Sequence, residues 1–384
     1  MKTLWILLGS LGLILVVIFA FKPRPSQIET TADFEAYLDK MVQGNSPPGV
    51  SVAVVKNGEI VYQYATGLAD GPNKIAATTD TVYHWWSMTK IVTAIGILQL
   101  AEQGLVDLDA PVEDYLPYFE TADGKYQGRV TIRQLLRHTS GLPDNVPAIV
   151  GWVHTEDVVY DQVEQVRTYM PDYNQLKYDP DSKAVYTNFG YMVLGAVIAE
   201  VSGQSYESYV VEHILEPAQM NQTGFLYASD VELDEAVGSH PVVNMMTPIL
   251  PFLLDMDTIV RERVGLTLWF NRLYLDVTPS SGLIGPADDV ARLLAALQDP
   301  GLLLSADSLA AMQPTGNGPT ERPLGWAEYG MEDQVWVQHS GGGPGFATVA
   351  RMYPDKGLGI ILMANGTNLD RDGLSAALAN LPWE

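Results

Sequence analysis

Hydrophobic and polar positions alternate in different ways along the chain, and each regime predicts an element. Residues 4–21 form an almost unbroken apolar run behind Lys2, closed by Lys22-Pro23-Arg24-Pro25. That length is at the lower edge of what spans a bilayer as a helix and exceeds most signal-peptide cores, and no small-x-small cleavage site follows. It predicts a transmembrane helix acting as an uncleaved signal anchor, residues 1–27 with its linker, ahead of a domain over 28–384, with a cleaved signal peptide as the alternative. Phe34, Leu38, Met41 and Val42 then make one helical stripe, capped by Thr30 or Thr31 and closed by Gly44. Residues 49–55 and 60–64 are β-rich runs around Lys56-Asn57-Gly58-Glu59, and Asn-Gly between such runs is a strong hairpin signal.

Next, Met88, Ile91, Ile95, Leu98 and Ala101 recur at helical spacing up to Gly104. Residues 131–142 read as a short helix ended by a glycine turn. From there to about Leu275 the pattern is mostly helical or irregular. Strand patterns return at 334–339, 346–353 and 359–365, separated by Gly-rich and Pro-Asp-Lys-Gly turns, and a helix follows from Asp370. Strands at both ends with helices between predict an α/β (α+β) sandwich, its antiparallel sheet flanked by terminal helices. The expected lobes are an α/β lobe at 28–106 and 280–384, and an inserted all-helical lobe at 107–279, with a cleft between them.

Charge narrows the partners. The chain has 46 acidic and 22 basic residues, a formal charge of −24, so phosphate backbones are repelled and nucleic-acid binding is disfavoured. There is no cysteine, which excludes disulfides, thiol catalysis and thiolate metal sites. The six histidines have no metal-ligand spacing, so neither a metal nor a cofactor is expected. No G-x-S-x-G elbow occurs, which argues against an α/β-hydrolase.

Three polar clusters carry candidate chemistry. In Ser87-Met88-Thr89-Lys90 a serine precedes a lysine by one helical turn. A serine hydroxyl is a weak nucleophile, and an amine on the same face can take or relay its proton, while the first N–H groups of the helix favour a developing oxyanion. In Tyr186-Thr187-Asn188 a phenol facing that lysine can serve as general base and then acid, with Asn188 orienting the lysine or a substrate amide. The plainer reading makes Tyr186 a half-buried core phenol and Asn188 a helix cap. In His339-Ser340-Gly341-Gly342-Gly343-Pro344-Gly345 a strand enters a glycine run, where backbone can approach a ligand closely and an N–H group can serve as oxyanion donor. The plainer reading is a tight hairpin turn.

Together and in this order, the clusters resemble the serine β-lactamase and penicillin-binding-protein superfamily, and within it the class C β-lactamase-like hydrolases. Residues 97–104, the Leu135-Leu136-Arg137-His138-Thr139-Ser140-Gly141-Leu142 run and Pro279-Ser280-Ser281-Gly282-Leu283 add to the resemblance, which covers nearly the whole chain after the apolar run. It implies a β-lactamase/transpeptidase-like fold and a serine hydrolase with Ser87 as acylated nucleophile, and Lys90 and Tyr186 sharing proton transfer. It also implies Asn188 on the substrate amide, and N–H groups of Ser87 and Gly342 as oxyanion hole beside Gly341. His339 stands where true β-lactamases have the lysine of Lys-Thr-Gly. A histidine is mostly neutral at pH 7, so recognition of a substrate carboxylate should be weaker than with a fixed cation. That shifts expectation from β-lactams toward esters, amides or other peptides.

The expected function is therefore an extracytoplasmic, membrane-anchored serine hydrolase for a small-molecule or peptide substrate. The alternatives are a D,D-carboxypeptidase or weak class C-type β-lactamase, and a catalytically silent cell-wall or peptide-binding module. His138 reads as structural, bonding backbone in a turn, while His84, Trp85 and Trp86 read as packing or cleft wall. The segment 242–278, with its apolar stretches at 245–254 and 264–270, is expected either to wall or cover the cleft or to be a buried helix pair.

Overall fold

The computed structural model describes residues 28–122, 124–143, 152–156, 158, 161–226, 234–244 and 247–383. The expected anchor at 1–27 lies outside them; among the described residues no helix is long and apolar enough to cross a membrane.

Chain ends meet in one antiparallel sheet of seven strands. Gly49–Lys56 pairs with Glu59–Asp70 on one side and with Leu358–Ala364 on the other. Phe346–Tyr353, Trp336–Gly343 and Glu328–Gly330 extend that side, and Ile75–Ala76 closes the opposite edge. The first hairpin turns at Asn57 and Gly58, whose positive φ angles of 51° and 83° are the backbone that makes Asn-Gly suit a two-residue loop. Gly49–Lys56 is a continuous apolar run because it is central and covered on both faces.

On one face lie the helices Thr31–Gln43 and Arg371–Ala379, which bury Phe34, Leu38, Leu374 and Leu378 against Val50, Val52, Val54 and Leu362. The first begins with a capping box between Thr30 and Asp33. The other face packs Ala53, Val55 and Ile361 into the main core. That core holds two helices apolar on nearly all sides, Thr89–Glu102 and Asn188–Ser202, as befits helices surrounded by protein.

The expectation of an all-helical middle is corrected by three small sheets. Val153–His154 pairs with Tyr274–Leu275, and Leu283–Gly285 lies between Tyr83–His84 and Gly224–Phe225. Ser239–Pro241, Thr267–Phe270 and Val260–Val264 form the third, so the apolar stretch after residue 247 is two short helices and a hairpin rather than a helix pair. Strands of two to five residues hold too few alternations to be read, and Val260–Val264 is mostly exposed Arg and Glu.

Candidate active site

The nucleophile candidate is presented by a strained turn. Ser87 sits in the 3-10 turn Trp86–Met88, and the regular helix starts only at Thr89. Trp86 has φ of 50°, a left-handed backbone that a bulky residue adopts only when its surroundings enforce it. Trp85 supplies part of that enforcement, since it is fully buried, and its indole N–H donates to the Gly285 carbonyl at 3.3 Å.

Lys90, one turn on, is completely buried. Its Nζ donates to Ser87 Oγ at 3.4 Å, to Asn188 Oδ1 at 2.8 Å and to the Ser280 carbonyl at 2.9 Å. It also lies 4.9 Å from the centre of the Tyr186 ring. Ser87, Lys90, Tyr186 and Asn188 are thus brought together from two distant stretches. Thr187 caps the helix by accepting from the Gly190 N–H, which leaves the Asn188 side chain for the lysine. The Ser280 carbonyl is a partner that residue types could not reveal, because any residue supplies a carbonyl.

The glycine run lies against this turn. A Cβ on Gly341 would stand 2.0 Å from the Trp85 carbonyl oxygen and 2.2 Å from Thr348 Oγ1, so only glycine allows the approach. Thr348 Oγ1 donates to the same Trp85 carbonyl at 3.1 Å, and Arg371 Nη1 donates to the Gly341 carbonyl at 2.7 Å.

His339 is buried behind the site, 6.1 Å from Tyr186 edge to face, and does not line the cavity. Its Nδ1–H donates to the Ser340 carbonyl, and its Nε2 is buried with no partner. Burial, with Lys90 nearby, holds it far below the usual histidine range, at about 3, so it is a neutral imidazole. His138 accepts the Thr187 N–H at Nδ1 and packs 4.5 Å from Tyr186, the turn role its sequence setting predicts. Burial, and then Lys90, also push it well below the ordinary value.

Ser87, Tyr186, Asn188 and Gly342 open on a cavity of about 470 Å³. Trp86, Trp152, Leu250, Leu254, Phe270, Leu275 and Val277 make its apolar wall; Ser281, His240, Asn244 and Thr367 add polar atoms. No Asp, Glu, Lys or Arg is among its described lining residues. Leu250, Leu254 and Phe270 come from the apolar segment after residue 247, which therefore forms part of the cleft wall. Among the described residues no cluster of His, Asp and Glu could hold a metal.

Comparison with known proteins shows the family and the fold. The β-lactamase family profile matches residues 34–381. The chain belongs to the β-lactamase family. This places it in the serine β-lactamase and penicillin-binding-protein superfamily. It is 30% identical to penicillin-binding protein 4* of Bacillus subtilis over 329 residues, 82% of this chain and 67% of that one. It is 27% identical to the Staphylococcus aureus protein flp over 346 residues, 87% of this chain and 64% of the relative, so it spans under two thirds of that relative's length. Among solved structures, the octameric penicillin-binding protein homologue of Pyrococcus abyssi superposes with a TM-score of 0.71 at 24% identity, covering 91% of this chain and 77% of that one. The D-amino acid amidase of Ochrobactrum anthropi superposes with 0.71 at 23% identity, covering 90% and 96%. These two likenesses show the fold.

Proposed function

We propose that this β-lactamase-family protein hydrolyses an uncharged ester or amide with an apolar acyl group through an acyl-enzyme on Ser87. The observation that carries the reading is the Ser87 hydroxyl 3.4 Å from a buried Lys90 amine, on a cavity whose described lining is largely apolar and carries no Asp, Glu, Lys or Arg. Lys90 and Tyr186 take the Ser87 proton as Oγ attacks the carbonyl carbon. The oxyanion is met by N–H groups of Ser87 and Gly342, and the proton passes to the leaving group as the tetrahedral adduct collapses. Water, activated by the same pair, then releases the acid. Asn188 holds Lys90 in place and contacts the substrate amide.

A D,D-carboxypeptidase or β-lactamase would need to hold a substrate carboxylate. His339 is neutral and buried, and no cation stands in the described lining, so both are second readings. The likeness to a D-amino acid amidase favours an amide among the possible substrates. A silent binding module has no use for a buried lysine aimed at a serine. The apolar run at 4–21 supports anchoring of the domain to a membrane, with the site outside the cytoplasm; fractionation and protease accessibility of intact cells test that part separately.

The test uses protein starting after Pro25, and its Ser87→Ala variant, with a fluorophosphonate probe, p-nitrophenyl esters, nitrocefin and a D-Ala-D-Ala peptide. Labelling at Ser87 and ester turnover, both lost in the variant, are expected. A folded protein that neither labels nor turns over any substrate would falsify the hydrolase reading.

A further inference from the structure

One corner of the cavity is polar, and its hydrogen-bond polarity is fixed by the fold. His240 is 3% exposed and lies between two hydroxyls, with Nδ1 2.7 Å from Thr367 Oγ1 and Nε2 3.1 Å from Thr247 Oγ1. Thr247 spends its own proton on the Pro241 carbonyl at 3.0 Å. Its oxygen can therefore only accept from the imidazole, so Nε2 carries the hydrogen and Nδ1 the lone pair. Thr367 must in turn donate its proton to Nδ1. What the Thr367 hydroxyl has left for the cavity is lone pairs alone.

Backbone pairing holds this register. Ser239 bridges to Gly366 in parallel, and Ser239 Oγ donates to the Asn365 carbonyl at 2.7 Å. The buried Asn365 amide donates to the carbonyls of Leu68, Ala69 and Val237 and accepts the Gly49 N–H. The loop that carries Thr367 is thus tied to the central sheet. Burial lowers the His240 pKa, which keeps the ring neutral and its tautomer as drawn.

We propose that Thr367, held by His240, is a specificity determinant that accepts a hydrogen bond from a neutral amide N–H of the substrate, so that the preferred acyl group is an N-acylamino acid or peptide unit. A carboxylate meets only lone pairs at the Thr367 hydroxyl and is disfavoured there. A free ammonium would be buried without a counter-charge in the described lining, which is costly. The inference rests on the hydrolase reading above and deepens it.

The experiment compares p-nitrophenyl esters of N-acetylphenylalanine, both enantiomers, and of 3-phenylpropionic acid, which lacks the N–H. The measured quantity is the ratio of their kcat/KM values. In Thr367→Val the preference for the acylamino ester is expected to fall roughly tenfold, the effect of one neutral hydrogen bond in a dry site. Thr367→Ser keeps the hydroxyl and is expected to keep the preference. A ratio unchanged in Thr367→Val, or lost equally in Thr367→Ser, overturns the proposal. If the wild type turns over neither ester and Ser87 does not label with the fluorophosphonate probe, the hydrolase reading fails by itself. The corner is then read by calorimetry with N-acetylphenylalanine amide against 3-phenylpropionamide, and equal affinity of Thr367→Val and wild type for the first overturns it.

Discussion

Lys90 Nζ reaches Asn188 Oδ1 at 2.8 Å across 98 positions of sequence, and this contact aims the amine at Ser87. Asn188→Ala leaves a buried N–H without its acceptor, at a cost of about 1–3 kcal/mol. The amine also loses one of its fixed partners. The expected outcome is a lower melting temperature and a fall in kcat larger than any rise in KM. In the proposed mechanism Lys90→Ala removes one of the two groups that take the Ser87 proton, and it is expected to lower kcat by roughly 10²–10⁴-fold. Single-turnover acylation with a chromogenic ester checks both; wild-type acylation by Asn188→Ala would remove it from any positioning role.

Gly341 and Trp85 touch too closely for a side chain between them. Adding a methyl group at Gly341 puts it 2.0 Å from a backbone oxygen that cannot swing aside. Gly341→Ala is expected to force the strand from the Ser87 turn, destabilising the fold by about 1–3 kcal/mol, as overpacking does, and weakening acylation. At Gly342 the nearest atom to such a methyl group is the Arg371 guanidinium at 3.4 Å, so Gly342→Ala is the tolerated neighbour for stability. Thermal melts of the two variants side by side decide the matter.

Acid should unfold this protein through its buried imidazoles. Folded His339 titrates at about 3, below the ordinary 6.5 of an unfolded histidine. Between those values the unfolded chain holds a proton that the folded chain excludes, so stability is greatest above pH 6.5 and falls as the pH drops toward 3. His138, also lowered, acts with the same sign. His339→Gln is expected to flatten the decline in melting temperature between pH 6.5 and pH 4. A slope identical to wild type would place the acid sensitivity elsewhere.

Leu250 and Phe270 wall the cavity from the segment after residue 247, and Phe270 is almost fully buried while Phe252 is 87% exposed. Leu250→Trp is expected to fill space and shift preference among p-nitrophenyl esters toward shorter acyl chains. Phe270→Ala is expected to cost about 3–5 kcal/mol of stability, as large-to-small core changes do. Phe252→Ser should change stability by less than about 0.5 kcal/mol. A chain-length profile unaltered in Leu250→Trp would show that this wall does not touch the acyl group.

The fold's frame was legible in the chain because its signals are local. Asn57-Gly58 predicts its hairpin from turn geometry, Thr30 or Thr31 the cap of the first helix, and the apolar runs at both ends their central strands. Ser87, Lys90, Tyr186 and Asn188 could be singled out because their clusters, each ambiguous alone, occur together in the order that resembles a known family. Tertiary structure alone decided the rest. Which carbonyl receives Lys90 is a matter of backbone position, and Ser280 has no side-chain signature for it. Whether His339 faces substrate depends on burial across strands, and the fold placed it behind the cavity. The polarity of Thr367 follows from a relay through His240 to Thr247, whose members are 120 or more positions from Thr367 in sequence and adjacent only after folding. Local propensities and residue chemistry act over a few positions, whereas burial, tautomer and hydrogen-bond direction are set by whatever the folded chain brings alongside.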